Sequence, residues 1–165
     1  MNRRNFTKTT VLAGMGISKS SLLLNNNRIK TEYKYNLHYA PHIGMFKNHA
    51  GNDPIDQLNF MADIGFTAFE DNDIRMRDIS LQEKMASAMI KRGLHMGVFV
   101  AHKIYWKEPN LTSGDISSRK EFLDYINKAI FVAKRVNAKW MTVVPGHLDL
   151  RQDISFQTAN VIESL

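Results

Sequence analysis

Side chains that transfer protons or ligate metals follow four separate apolar runs of this chain. His38 or His42 lies towards the end of the first run, and Glu70 with Asp71 and Asp73 ends the second. His102 ends the third run and His147 ends the fourth. Imidazoles and carboxylates are common ligands of divalent metals and common acid–base catalysts. If the four runs are strands that open at one edge, these side chains predict a shared pocket.

Each of these residues has a structural alternative. His38 suits an interior layer of packed side chains, and Glu70 is close enough in sequence to pair with Arg75 or Arg77 near the surface. Trp106, in the loop after the third run, either covers a small polyol-like ligand or anchors that loop. For the histidines of the third and fourth runs, a pocket role and a structural role both stay open, because no local metal-binding spacing joins them.

Amphipathic segments separate the apolar runs in a regular rhythm. The pattern predicts four strand-then-helix units, with strands at 35–43, 66–73, 94–103 and 139–147. Asp53 before Pro54 is typical of a helix start, and Ser80 with Glu83 predicts a capping box at the next helix. Strands that alternate with helices favour right-handed βαβ units. We therefore predict an α/β fold with a parallel sheet.

Apolar residues at spacings of three and four predict the buried face of each helix. The third helix is expected at 118–137. The loops after the strands are longer than those after the helices, and in parallel α/β folds the functional loops follow the strands. The predicted buried positions are Ile55, Leu58, Met61 and Ala62 in the first helix, Leu81, Met85, Ala88 and Met89 in the second, and Phe122, Ile126, Ala129, Ile130, Ala133 and Val136 in the third. The fourth helix has an apolar stripe at Phe156, Ala159, Val161 and Ile162.

Composition and charge exclude several classes of protein. The chain has 165 residues, no cysteine and a formal net charge of +6. Without cysteine there is neither a disulfide framework nor a thiolate metal site. Residues 1–34 carry the whole charge excess, so the rest of the chain lacks the clustered basic face that nucleic-acid binding needs. No apolar stretch reaches the roughly 18 residues of a membrane span, and no glycine-rich nucleotide-binding motif is present.

Residues 1–34 are predicted to be a disordered, export-type leader. The segment "RRNFTK" at 3–8 is followed by a weakly apolar stretch at 11–17. This order is similar to a twin-arginine export signal, although Thr7 stands where leucine is commoner. The similarity implies export to the periplasm without a stable membrane anchor. A disordered basic tail with no targeting role is the alternative.

The strand ends "AFEDND", "VFVAHK" and "TVVPGH", with the helices between them, resemble the xylose isomerase-like barrel superfamily. Within it they are most similar to hydroxypyruvate isomerase-type proteins. The resemblance covers 35–165 and implies the first four βα units of a TIM barrel. A closed barrel of this kind needs about 250 residues, so the remaining units are expected beyond Leu165, in a longer protein of which this is a C-terminally truncated part.

The resemblance also implies a function. It implies a metal-dependent isomerase or epimerase of a small sugar or hydroxyketo acid, in which a proton moves through an enediol beside a divalent Mg, Mn or Zn ion. In that family the paired glutamates and most metal ligands lie on later strands, so no catalytic residue is assigned here and the 165-residue chain alone is expected to be inactive. The residues expected to line the substrate pocket are Glu70, His102, His147, His38 and Trp106.

Two other functions stay open. One is an exported, non-catalytic carbohydrate-binding protein with the same barrel. The other is a phosphodiester-cleaving relative, which the neutral body of the chain disfavours. Oligomer formation is compatible with each. If the pocket interpretation is right, His102→Ala and His147→Ala are expected to weaken binding without lowering the melting temperature.

Overall fold

The computed structural model describes residues 35–165, and the predicted export leader lies outside them. The described part is a mixed α/β structure with a two-stranded parallel sheet. None of its helices is both long and apolar enough to cross a membrane. In chain order the elements are α1 (Lys47–Ala50), α2 (Pro54–Asp63), β1 (Ala68–Phe69), a 3₁₀ turn (Ile74–Met76), α3 (Ile79–Arg92), β2 (His95–Met96), a second 3₁₀ turn (Leu111–Ser113), α4 (Ile116–Val136) and α5 (Ile154–Ser164).

Four parallel segments run side by side in chain order. Ala68 of β1 lies opposite His95 of β2, and single parallel bridges join His42 to Glu70 and Val100 to Thr142. We call the stretches 41–43, 68–70, 95–101 and 142–144 the first to fourth parallel segments. The prediction of a mixed α/β fold with a parallel sheet is confirmed, but only β1 and β2 are regular strands. Single bridges join the first and fourth segments to their neighbours, so the predicted strands are too long.

Proline explains part of this shortness. Pro41 in the first segment and Pro145 after the fourth have no N–H to donate to a neighbouring strand. Regular pairing is therefore confined to one or two residues in each segment.

The hydrophobic core lies between the parallel segments and helices α2, α3 and α4. α2 packs against α3, and α3 packs against α4. The predicted helix faces are confirmed at most positions, including Leu58, Met61, Met85 and Ala129, which are fully buried. Ile130 is the exception among these three helices, because 38% of its surface is exposed.

Helix ends follow the sequence signals in part. The Asp53 carboxylate accepts a hydrogen bond from the Ile55 N–H (2.8 Å), and Pro54 is the first helical residue of α2, as predicted. The prediction of a capping box at Ser80 is wrong. α3 begins earlier, at Ile79, and Asp78 at its N-cap makes no side-chain bond to the helix. This placement puts Ser80 inside the first turn, where it cannot cap the helix.

α5 faces the body of the protein with its polar side. Gln157, Asn160 and Ser164 are its buried residues, whereas Phe156 is 53% exposed and Ile162 is 70% exposed. The apolar stripe of this helix is therefore largely exposed.

Loop carbonyl groups explain the orientation of α5. The Gln157 side-chain amide donates to the carbonyl oxygens of Asp149 (2.9 Å) and Gln152 (3.2 Å), and its Oε1 accepts from the Asp149 N–H (2.8 Å). The Asn160 amide donates to the carbonyl oxygen of Thr112 (3.1 Å). Buried backbone groups require such partners, so the polar side of the helix is held against the loops.

Candidate functional site

A cavity of about 340 Å³ opens at the carboxyl ends of the second and third parallel segments. Its volume is at the small end of the range for ligand pockets, about 300–1,000 Å³. Both polar and apolar side chains form its wall, as is usual for such pockets. The lining residues are Asn72, Asp73, Arg75, Met76, Val100, His102, Lys103, Ile104 and Trp106.

Two of the five residues predicted to line the pocket meet in this cavity, namely His102 and Trp106. Glu70, His38 and His147 are not among its lining residues. His38 is exposed, and its Nδ1 lies 3.1 Å from Oγ1 of Thr67, the residue before β1. That contact places His38 at the amino end of the segments, opposite the cavity.

His102 is held by backbone groups on both sides of its ring. Its Nδ1–H donates to the carbonyl oxygen of Lys103 (2.7 Å), and its Nε2 accepts from the N–H of Val144 (2.9 Å). The ring lies edge-on to Phe122 and is almost completely buried. Burial lowers the pKa of His102, and the nearby Arg75 lowers it further. His102 is thus a neutral imidazole that joins the third and fourth segments.

His42 makes the corresponding connection between the first and second segments. Its Nδ1–H donates to the carbonyl oxygen of Ile43 (2.5 Å), and its Nε2 accepts from the N–H of Asn72 (3.2 Å). Asn72 itself lines the cavity. Two strand-end histidines therefore fix the loops of the pocket through backbone hydrogen bonds, and both of their nitrogens are already in use.

The acid that pairs with an arginine at this edge is Asp71. Its carboxylate is completely buried and accepts two bonds from Arg77, at 2.6 Å from Nε and 3.1 Å from Nη2. The expectation that Glu70 pairs with Arg75 or Arg77 is wrong. Glu70 is half-buried, with its Cγ 3.2 Å from where a Cβ would stand on Gly97, and within residues 35–165 its carboxylate has no hydrogen-bonded partner.

His147 is exposed at the end of the fourth segment. Its N–H donates to the carbonyl oxygen of Glu108 (3.1 Å), and its carbonyl oxygen accepts from the Thr112 hydroxyl (2.8 Å). The imidazole itself makes no hydrogen bond within the part of the chain described. His147 therefore fastens a loop through its backbone and leaves its ring in solvent.

Arg75 lines the cavity but is not among the five residues predicted to line the pocket. Its guanidinium carbon lies 4.8 Å from the centre of the Tyr125 ring, and its Nε is buried without an acceptor. The segment "EDNDIRMRD" contains the signal, because two arginines follow closely spaced acids. Sequence alone does not tell which arginine an acid neutralises.

The described residues do not by themselves supply a site for the divalent metal that the resemblance implies. Residues 35–165 contain no group of three or more His, Asp or Glu side chains placed to hold one metal ion. His102 already has backbone partners at both nitrogens, and Asp71 is bound to Arg77. At this edge His102 and Asp71 are therefore engaged in holding the fold.

The fold and the cavity define a parallel α/β arrangement with a small polar pocket at its carboxyl edge. No model of a known protein family matches the chain, and no curated protein matches its sequence.

Proposed function

We propose that residues 35–165 form the ligand-binding side of a parallel α/β barrel enzyme that isomerises or epimerises a small sugar or hydroxyketo acid. The cavity at the carboxyl ends of the second and third segments carries this proposal. Ligands of parallel α/β folds bind at that edge. The indole of Trp106 offers an apolar surface, while Arg75 and Asn72 offer hydrogen-bond donors for hydroxyl or carbonyl oxygens.

The order of the segments supports the barrel part of the proposal. Each parallel segment pairs with the one that precedes it in the chain. In a doubly wound sheet, the ligand binds where the strand order reverses. Here the cavity lies between two segments that are consecutive in the chain, which is the arrangement expected around a barrel.

The described residues contribute binding and orientation. Isomerisation through an enediol removes a proton beside a carbonyl group and returns it to the neighbouring carbon. His102 can take up that proton only by losing its bond to the Val144 N–H, so it is a poor general base. We therefore assign the walls of the cavity to substrate positioning and assign no proton-transfer step to them.

Calorimetric titration of the protein expressed from its complete gene tests the binding role. Small ketoses and hydroxypyruvate are the titrants. Trp106→Ala is expected to weaken binding about tenfold, or about 1.4 kcal/mol, because the indole lines the cavity. Trp140→Ala is the matched control, since both indoles are 72% exposed but Trp140 is not among the lining residues.

Solvent exchange tests the catalytic part of the proposal. An enediol intermediate incorporates deuterium from D₂O on the carbon next to the carbonyl group. Proton NMR detects the resulting loss of the C–H signal. Exchange together with Trp106-dependent binding supports the enzyme. Binding without exchange favours the exported carbohydrate-binding protein instead, and the absence of both overturns the proposal.

A further inference from the structure

Six arginines lie in residues 35–165, and five of them have hydrogen-bonded partners. Arg135 donates to Oε1 of Gln82 (2.5 Å). Arg75 differs from the others, because its Nε is buried without an acceptor and no carboxylate within the described residues pairs with its guanidinium. The remaining four form ion pairs with carboxylates, namely Arg77 with Asp71, Arg92 with Asp63, Arg119 with Glu163 and Arg151 with Asp149.

The Arg75 guanidinium is held in place without being neutralised. It belongs to the short 3₁₀ turn Ile74–Met76, and it lies over the ring of Tyr125 on α4. Such stacking fixes a planar cation in one orientation while supplying no formal negative charge. A donor that is already oriented loses less conformational entropy when a ligand binds.

The charges around the cavity leave a positive excess. Arg75 and Lys103 are its cations, and Asp73 is its single acid. Lys103 Nζ lies 4.5 Å from the centre of the Tyr105 ring, and the Tyr105 hydroxyl donates to Glu121 (2.7 Å), so part of the Lys103 charge is offset nearby. Arg75 has no comparable acid beside it. A partly buried cation without an anion is unfavourable, and a bound anion removes that cost.

We infer that Arg75 binds an anionic oxygen group of the ligand, a carboxylate or a phosphate, in this cavity. The planar guanidinium presents parallel N–H groups that match either anion in a two-point contact. The inference rests on the proposed function, since it names the class of ligand taken by the same cavity. It selects acids or phosphate esters over neutral sugars.

Three compounds with the same carbon skeleton test the inference, namely glycerol, D-glycerate and glycerol 3-phosphate. Each is titrated by calorimetry into the protein from the complete gene, in phosphate-free buffer of low ionic strength. At least one charged compound is expected to bind about tenfold or more tightly than glycerol, as hydrogen bonds to charged groups allow. The stronger of the two charged compounds identifies the carboxylate or the phosphate as the preferred group.

Variants of Arg75 separate charge recognition from folding. Arg75→Gln is expected to remove the advantage of the charged compounds over glycerol, with a smaller change in the affinity for glycerol itself. Arg75→Lys keeps a positive charge and is expected to retain part of the advantage. Arg151→Gln is the control, because this exposed arginine pairs with Asp149 and does not line the cavity.

Three results overturn the inference. One is equal binding of glycerol and both charged compounds, and another is an equal loss for all three compounds in both Arg75 variants. The third is binding of neutral ketoses with no binding of either charged compound, in which case the proposed function stands without the inference. Conversely, binding of an anion that depends on Arg75, without deuterium exchange in any substrate, supports the inference. That result counts against the proposed isomerase or epimerase activity.

Discussion

At the scale of single residues, the imidazoles of His42 and His102 continue the bonding between parallel segments after the backbones separate. Each ring donates to the carbonyl oxygen of the next residue in the chain. Each also accepts an N–H, which Asn72 supplies to His42 and Val144 supplies to His102. Only a neutral imidazole can do both, because protonation places a hydrogen on the accepting nitrogen. These two histidines therefore act as structural links under the loops of the cavity.

The first residue-scale prediction concerns pH. Burial lowers the pKa of His102 in the folded protein. At pH values between this lowered pKa and about 6.5, the unfolded chain therefore binds a proton that the folded chain does not. The stabilisation contributed by neutral His102 is complete above about pH 6.5 and is lost as the pH falls. His102→Gln is expected to lower the free energy of unfolding at pH 8 by about 1–3 kcal/mol, because buried backbone groups lose partners.

Urea denaturation at several pH values measures both effects. The slope of stability against pH below 6.5 is expected to be shallower in His102→Gln than in the parent protein. His147→Gln is the control, since its ring is exposed and makes no hydrogen bond in the described part of the chain. Equal stability of the two variants contradicts the structural role and restores the earlier expectation that neither histidine supports the fold.

Acid–arginine pairing shows what a sequence does not specify at this scale. The spacing of acids and arginines in "EDNDIRMRD" correctly indicated an ion pair, but the acid is Asp71 and not Glu70. Adjacent residues of an extended chain point to opposite faces. A shift of one position along the chain therefore brings Asp71, and not Glu70, beside Arg77. Glu70 lies beside Gly97 instead, and Arg75 has no carboxylate partner within the described residues.

At the scale of elements, helices follow local rules more closely than strands do. The periodic spacing and the Asp53–Pro54 start predict α2 well, because caps and packing faces are properties of nearby residues. Strand length depends on where neighbouring backbones stay close, and that is decided by residues far apart in the chain. The long apolar runs thus predicted four segments in the right places and overestimated their pairing.

The element-scale prediction compares two helix starts. Asp53→Ala is expected to lower the free energy of unfolding by about 1 kcal/mol, because its carboxylate caps the Ile55 N–H of α2. Asp78→Ala is expected to have a smaller effect, since Asp78 makes no such bond to α3. Urea denaturation midpoints measure the difference. Equal losses in the two variants rule out the cap as the source of the stabilisation.

At the scale of the whole molecule, α2, α3 and α4 cover the parallel segments and α5 presents its apolar side outwards. The spacing of Phe156, Ala159 and Ile162 correctly indicates an apolar helix face, and all three residues are exposed. The periodic spacing indicates that a helix has one apolar face and one polar face. It does not state which face is turned inwards when the neighbouring loops offer unpaired carbonyl groups.

The whole-molecule prediction is that α5 dominates the exposed apolar surface. Ile162→Gln is expected to lower the fluorescence of a bound hydrophobic dye, because contiguous apolar patches attract such probes. The free energy of unfolding is expected to change by less than about 0.5 kcal/mol, as for other surface substitutions. Ile90→Gln, on the exposed side of α3, is the control and is expected to change the dye signal less. An equal decrease in both variants contradicts the assignment to α5.

The hydrogen-bonded attachment of α5 also determines how the native state fluctuates. None of the buried residues of this helix is apolar, and its bonds to the loops at Asp149 and Thr112 can be exchanged for bonds to water at little net cost. Parts of a protein with few buried apolar contacts open at low free energy. α5 therefore detaches as a unit while the core beneath α2, α3 and α4 stays closed, and a protease reaches the peptide bonds of 146–153 before those of any core helix.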